Sequence, residues 1–589
     1  MVKENSLRII RKLMFRLLLI QIVYAAVATL NGIVSSYFAS NFLGVDAMSA
    51  VGLFGPIQTL MGAISFILSS GCSIICGKYL GANKKDKLQN NFSLGIVLSI
   101  IVGIIFIVIL LVLSLFDLTG FFTSSLVLRK LFNEYILGQV IGILPFMLGS
   151  ILPVYLSIED KSKITFRASL IYIISNIVLN YVFVQLLDMQ AFGLSLASSI
   201  GLWIFFITEL IYFLTPKSLL KLRFKNINWV ESKDIFRIGL PTAGVSLYMT
   251  FRGLIVNKML EVYTGSNGIS AFNAANNLLS LFWAPTTGMI AVIRLQMSIA
   301  VGEQDRQGLI NIIKVGFKFF LPIILLEVLL LNVFSVPLST LFFKDTGSVV
   351  FKMMVLGVRI IPFSMPLGLI ELFFNTLNLT LDRHRYVHIV SFFDGVVNIA
   401  VFTILFTKSL GVLAAYLALV INGVICTLFI ALYEVYKTKK LSLKIEDLMV
   451  IPSDFGVDSN NRIDISIRSL DSVINISERI QKFCLDRNID EKRAYLAALC
   501  MEEMAGNVVE HGFNKDKKEH SIDIRVTYKD DSLLMRIKDD CIPFNPTERL
   551  KLTDESDPLS NIGIKMVYKI SKDIEYHNVL GLNVLTIKL

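Results

Sequence analysis

Some twelve apolar stretches, each of membrane-spanning length, fill the first three-quarters of this 589-residue chain. A helix needs roughly 20 apolar residues to cross a bilayer. Candidate spans fall near 15–41, 50–77, 92–115, 136–158, 167–187 and 192–214, then near 239–261, 271–298, 315–336, 354–379, 386–407 and 411–435. Charged residues make up 17% of the chain, against about a quarter in ordinary soluble domains. That average hides two regimes. The apolar runs stop near Leu432, and from Tyr433 to Leu589 the sequence is polar and of mixed charge. A membrane domain is therefore followed by a soluble one.

Loop charges orient the spans. Lysine and arginine collect at the N-terminus, in "GKYLGANKKDK", "EDKSKITFR", "TPKSLLKLRFKNINWVESKDIFR" and "DRHRYVH", and in the start of the tail, "YKTKK". These are the even-numbered connections and both ends, which the positive-inside rule assigns to the cytoplasm. The expected topology is a multi-pass protein of a bacterial plasma membrane with both termini cytoplasmic. Orientation accounts for much of the net charge of +10, and no basic, aromatic-interleaved surface of the nucleic-acid-binding kind is present. The six cysteines show no zinc-like pairing, and Cys72 and Cys76 read as small packing residues one turn apart. The basic start leads into a spanning run without a signal-peptide cleavage site.

An internal repeat sets the architecture. Residues 32–50, "GIVSSYFASNFLGVDAMSA", align with 253–271, "GLIVNKMLEVYTGSNGISA", at an offset of 221 (253 − 32), which also carries "YLGANKKDKLQ" (79–89) onto "AVGEQDRQGLI" (300–310). Gly44 meets Gly265 and Gly81 meets Gly302. Further on, "ILPF" (143–146) resembles "IIPF" (360–363), and Asn176 falls opposite Asn398. Six spans repeated by six in one orientation predict two bundles about a central cavity, with a substrate site at their interface.

"LGVDAMSAVGLFGPI" (43–57), "GKYLGANKKDKLQ" (77–89), Asn176 with "GLSLA" (193–197), and "RIGLPT" (237–242) resemble the MATE family of multidrug and toxin extruders over roughly residues 10–435. The resemblance implies antiport, in which a drug-like organic molecule leaves as Na⁺ or H⁺ enters by rocking of two six-helix lobes. It also exposes departures. The acid usual on the family's first helix falls on Ser35 and the one on its fifth helix on Asn180, while Asn176 is kept. A site of hydroxyl and amide oxygens holds Na⁺ weakly and cannot exchange a proton.

Other charges stand inside apolar runs: Glu209, Arg252, Arg294, Glu327, Arg359, Glu371 and Asp394. Charges at membrane depth are costly and usually face a cavity or each other. Glu371 on the tenth span is the expected titrating group, with Arg252 on the seventh as its partner. A static ion pair that packs the second lobe is the competing reading.

In the tail, alternation and helical periodicity predict strand 464–468, helices 471–486 and 491–511, strands 521–528 and 533–539, helix 562–571 and strands 573–579 and 583–588, an α+β class. Four motifs follow in order: "EEMAGNVVEHG" (502–512), "IKDDCIPFNP" (537–546), "SNIGIKMVYKIS" (560–571) and "DIEYHNVLGLNVLTIKL" (573–589). A helical Asn ligates phosphate-bound Mg²⁺ and a Glu one turn earlier takes a proton from a hydroxyl. Backbone N–H groups at a helix start meet phosphate.

The ordered set resembles the GHKL ATP-binding fold, closest to the anti-sigma-factor serine kinases. Position by position, this implies Asn507 as the Mg²⁺ and nucleotide ligand, Glu503 as general base, Asp539 on adenine and Gly563 beside the phosphates. His511 reads as structural. In the "D-x-G" box Cys541 replaces Gly, and Asn561 stands where a second Gly is usual. Expected domains are an N-lobe (1–220), a C-lobe (221–440), a linker (441–457) and an ATP-binding domain (458–589). Two functions of different class follow. One is multidrug efflux regulated by a nucleotide-binding tail, with a P-loop nowhere in the chain. The other is a membrane-anchored serine kinase or anti-sigma-type regulator acting on a small protein partner. Whether the tail dimerises, as soluble relatives tend to, is left open by the sequence. Flipping a lipid-linked or sugar substrate is a third reading.

Overall fold

The computed structural model describes residues 3–589 except 124, 226, 440, 441, 443, 458, 468–470, 514–519, 530 and 552–560. Residue 560, the first of the 560–571 motif, two residues of the expected linker (441 and 443) and the last of the expected C-lobe (440) therefore lie outside the described residues. The first bundle contains α1 (Lys3–Phe38), α2 (Val45–Gly81), α3 (Lys85–Leu115), α4 (Leu126–Gly149) with short α5 (Leu152–Ile158), α6 (Ser162–Asn180) and α7 (Gln190–Leu214). The second contains α8 (Val230–Phe282), α9 (Ala284–Gly302), α10 (Arg306–Val333), short α11 (Ser335–Thr340), α12 (Val349–Ile360) with α13 (Ser364–Thr380), α14 (His384–Phe392) with α15 (Asn398–Leu410), and α16 (Val412–Thr438). Among the described residues, eleven helical segments are long and apolar enough to cross a membrane. The stretch expected to be the seventh span lies in the first half of α8, where Arg252, Lys258 and Glu261 dilute the apolar run. The eighth is divided between the end of α8 and α9. A 3-10 turn at Pro362 separates α12 from α13, and π-helical turns at 181–186 and 393–397 interrupt the regular α-helix in two other spans.

The repeat is written into the backbone. Gly44, between α1 and α2, has φ 89° and ψ −173°, and its partner Gly265, inside α8, has φ 65° and ψ −162°. A side chain is strained at such angles, so glycine recurs at the two equivalent bends. The lobes close on each other at the end nearer the tail. Gly81 packs against the Ile299 carbonyl and Gly302 against the Lys78 carbonyl, leaving no room for a Cβ at either. Since 78 + 221 = 299, these are one contact made twice about a pseudo-twofold axis. Gly71 against Ile235 and Gly239 against Ile67 extend the seam between α2 and α8. Cys72 and Cys76 are fully buried in the first lobe, Cys76 donating to Asn91 Oδ1 at 2.8 Å.

After a short α17 (Ile445–Leu448), the tail forms β1 (Arg462–Ile467), α18 (Asp471–Leu485), α19 (Glu491–Gly512), β2 (Ile522–Lys529), β3 (Ser532–Asp539), α20 (Pro546–Lys551), α21 (Ile562–Ile570), β4 (Asp573–Val579) and β5 (Leu582–Lys588). The strands make one antiparallel sheet in the order β1-β2-β3-β5-β4, with Ile524 opposite Ile537 and Ile537 opposite Leu585. Alternation puts Ile465, Ile522, Ile524, Met535, Ile537 and Ile587 on one face, in a core shared with α18, α19 and α21. Such burial stabilises by about 25 cal/mol per Å² of apolar surface. The opposite face carries Asp464, Asp523, Arg525, Arg536 and Lys538, and it rests on the helical bundle.

Candidate functional site

In the first lobe, the positions expected to replace the family's acids converge. Ser35 Oγ lies 3.4 Å from Ser198 Oγ, and Asn176 Nδ2 donates to Ser198 Oγ at 3.3 Å. Asn180 donates to the Asn176 carbonyl at 2.8 Å, while Ser198 donates to Asn31 Oδ1 at 3.2 Å. All of the groups are neutral. The second lobe repeats the theme with charge: Asn398 donates to Asn422 Oδ1 at 3.0 Å, and Asn422 to Asp394 Oδ1 at 2.6 Å. Glu371, buried and bonded to Asn375 at 3.2 Å, completes a pocket in which ligand atoms of Glu371, Asp394 and Cys426 all lie within 4.8 Å of one another. The partner of Glu371 is thus Asp394, and the electrostatic neighbour of Arg252 is Asp394 as well. The sequence marks Asp394 only as an embedded charge, because the π-helical turn at 393–397 that carries it is not legible there.

Between the lobes lies a cavity of about 640 Å³. Its walls are mostly N-lobe, with Ser35, Gln58, Tyr135 and Gln139 among the polar groups, and Thr287, Ala291 and Arg294 from α9. That size lies within the range of small-molecule sites.

In the tail, residues of the sequence motifs lie on neighbouring elements. Glu503 on α19 reaches across to Gly563, in the first turn of α21, so closely that a Cβ there would collide with its carboxylate. Asn507 follows one turn later on α19, half-buried, and His511 is exposed. Asn561 adopts φ 56° and ψ 35° at the N-cap of α21, so the amide residue holds the left-handed turn that a glycine would. Asp539, at the end of β3, is 4% exposed and is held through Oδ1 by the Cys541 N–H at 3.0 Å and Asn583 Nδ2 at 2.7 Å. Burial pushes its carboxyl above the ordinary range, against those bonds. Asn583 Oδ1 in turn accepts from the Tyr576 hydroxyl at 2.7 Å and Asn578 at 3.0 Å. Sequence reasoning passed over Asn583, although the spacing of "Y…G.N" in the last hairpin was its signal. Cys541 has no left-handed backbone and fills the space beside Gly512, which explains how the box tolerates it.

The tail grips both lobes. From the second, Glu303 accepts from Lys538 at 2.7 Å and Arg536 at 3.2 Å, Asp305 pairs with Arg525, and Gln307 accepts from Arg462 at 2.8 Å. From the first, Lys12 pairs with Asp540, the neighbour of Asp539, and Arg16 donates to the Leu580 carbonyl. Leu580 and Val584 are buried in the core of the membrane bundle. Burial works against charge at this seam, but Arg525 and Lys538 outweigh it and hold Asp305 at about 2, and Lys538 and Arg536 hold Glu303 below the ordinary range. Burial takes His577 the other way, down to about 4.

Comparison with known proteins agrees with both halves. Residues 22–182 match the MatE family model, and residues 468–589 match that of the histidine kinase-like ATPase domain. The probable multidrug resistance protein NorM of Photorhabdus laumondii subsp. laumondii is 23% identical over 359 residues, covering 59% of this chain and 78% of its own. The multidrug export protein MepA of Staphylococcus haemolyticus is 22% identical, covering 73% and 94%. Among solved structures, an outward-facing multidrug resistance MATE family transporter of the MOP superfamily superposes with a TM-score of 0.66 at 21% identity, over 71% of this chain and 94% of its own. A MOP superfamily transporter from Pyrococcus furiosus gives 0.67 at 20%, over 73% and 97%. The chain is thus a multi-pass membrane protein of the MATE fold that carries a MatE domain and, after its helical bundle, a histidine kinase-like ATPase domain.

Proposed function

We propose that this protein exports a small organic compound across a bacterial plasma membrane by ion-coupled antiport, and that its cytoplasmic C-terminal domain binds Mg-ATP and regulates the cycle. Two lobes around a drug-sized cavity support export, as do the relatives named for multidrug resistance. Coupling rests on the second lobe, because Ser35, Asn176 and Asn180 leave the first without an acid at the expected positions. Glu371 and Asp394 share one polar pocket, where a carboxyl pair can bind and release H⁺ or hold Na⁺. ATP does not drive transport in this reading; it sets how readily the lobes part.

The observation that carries regulation is the seat of the tail. It lies across the closed seam, with salt bridges to α1 on one lobe and to the α9–α10 connection on the other. Alternating access must separate those anchors. Asp540 ties the seam to the adenine-side Asp539, so occupation of the nucleotide site can be felt at Lys12. The tail also uses its polar sheet face on its own bundle.

The test is efflux from cells that express the full chain, with and without Glu371→Gln, together with Mg-ATP titration of the full chain in nanodiscs beside Asn507→Ala. Export that dissipating the ion gradients leaves intact, or that survives Glu371→Gln with unchanged pH dependence, defeats the coupling. Nucleotide binding equal in Asn507→Ala and the parent defeats the assignment of the site.

A second reading, a membrane-anchored serine kinase acting on a small regulatory protein, draws on one observation: Glu503 faces Gly563, where a general base would meet the phosphates. Transfer of labelled phosphate from ATP to a serine-bearing partner, lost in Glu503→Gln, would favour it.

A further inference from the structure

The cavity between the lobes is lined by hydroxyls, amides, aromatic rings and one formal charge, the guanidinium of Arg294. No aspartate, glutamate or lysine is among its described lining residues. Arg294 projects from the middle of α9 over the ring of Phe66, its guanidinium carbon 5.3 Å from the ring centroid. Its Nε is shielded from solvent and has no hydrogen-bond partner, and no carboxylate among the described residues pairs with it. The other embedded arginines are provided for. Arg359 donates to Ser335 Oγ at 2.9 Å, and Arg252 has Asp394 as its electrostatic neighbour.

An unpaired cation at membrane depth is costly, and the cost falls when a counter-charge arrives. A guanidinium offers a planar fork that matches a carboxylate, sulfonate or phosphate. A cationic ligand would meet the same fork as repulsion without an acid to offset it, which is discrimination by the rejected charge as much as by the accepted one. Resting on the export reading above, we infer that the cavity selects amphipathic anions, with the acidic group on Arg294 and the apolar body against Phe54, Phe66 and Phe205.

The inference is tested on the full chain in nanodiscs with two probes, taurocholate as an amphipathic anion and ethidium as an amphipathic cation, by equilibrium binding. Saturable taurocholate binding is expected, weakened at least tenfold by Arg294→Gln and largely kept by Arg294→Lys. Ala291→Glu places a carboxylate one helical turn from Arg294 on the same cavity wall and should abolish taurocholate binding without altering the arginine. An unchanged thermal midpoint shows that each variant is folded. Repeating the measurement in phosphatidylcholine and in phosphatidylglycerol discs separates the sources of the anion: competition by phosphatidylglycerol supports the site and assigns it to a lipid phosphate, and indifference assigns it to a free organic anion. Taurocholate binding unchanged in Arg294→Gln, or ethidium bound tightly where taurocholate is not, overturns the inference. Cellular ethidium efflux with no anion binding would leave export standing and remove only the anion selectivity. Absence of binding and efflux for both probes would remove both.

Discussion

Removing the charge of Glu303 should release the tail from the second lobe. The side chain is only 3% exposed and lies under two cations, Lys538 at 2.7 Å and Arg536 at 3.2 Å, themselves 25% and 13% exposed. Glu303→Gln keeps the shape and strands both cations in a half-dry seam. Breaking a buried pair from one side costs about 3–5 kcal/mol, and the residual exposure of the cations brings the expected loss to roughly 2–3 kcal/mol. At 1.4 kcal/mol per decade this is roughly a 30- to 140-fold fall in the docked-to-free ratio. The short linker keeps the free tail at an effective concentration of the order of millimolar, so the variant should populate both states rather than lose the docked one. The assay is a spin-label distance measurement between cysteines introduced at Leu219 and Tyr495, which are 79% and 56% exposed; the six native cysteines are all buried, so labelling is selective. One narrow distance is expected in the parent and a broad second population in Glu303→Gln. A double-mutant cycle with Lys538→Met should return a coupling of at least about 1 kcal/mol. An unchanged distance distribution, or additivity within about 0.5 kcal/mol, refutes the reasoning.

Other outcomes follow from the same geometry. His577 has its pKa lowered to about 4 by burial, chiefly, against the pull of Glu303; its contribution is full above the ordinary histidine value of about 6.5 and is lost as pH falls towards 4. Spin-label distances should therefore show the tail loosening between pH 6.5 and 4, and His577→Phe should flatten that window. Asn583→Ala should weaken Mg-ATP binding about tenfold by freeing Asp539, as read by titration of the full chain, with the docked distance unchanged; wild-type affinity would show that Asp539 is not held by it. Gly81→Val should wedge the seam at Ile299 and raise the accessibility of Ser73 to a thiol reagent once replaced by cysteine; protection equal to the parent would show that the seam is not a closed gate. Asp394→Asn should reduce export as severely as Glu371→Gln, since the two acids share one pocket, whereas loss of export in Glu371→Gln alone would assign coupling to a single carboxyl.

The parts of this molecule that the sequence makes legible are those governed by local rules. Gly44 and Gly265 could be aligned from sequence because each bend needs a backbone that other residues resist, and the tail's strands could be placed because Ile522, Ile524 and Val526 alternate with polar neighbours. Asn561 was readable as a stand-in for glycine for the same reason. Ser35, Asn176 and Asn180 share one hydrogen-bonded cluster around Ser198.

What escaped was set by tertiary contact. Glu371 on α13 meets Asp394 in the π-helical turn between α14 and α15, and no periodicity in either span encodes that meeting. The charged row of the sheet (Asp464, Arg525, Arg536, Lys538) reads from sequence as an exposed face of a half-buried strand, the ordinary fate of alternating polar residues. Here it is an interface, and the decisive partners, Glu303 and Asp305, lie more than 200 residues earlier in the loop that the repeat aligns with Ala82 and Lys84. The two copies thus differ in charge at the place where the tail sits. A symmetric pair of loops would offer the sheet's cations two equal seats; an acidic loop on one lobe and a lysine-rich one on the other offers one, and that asymmetry, more than any motif in the tail itself, is what orients the tail on a pseudo-symmetric helical bundle.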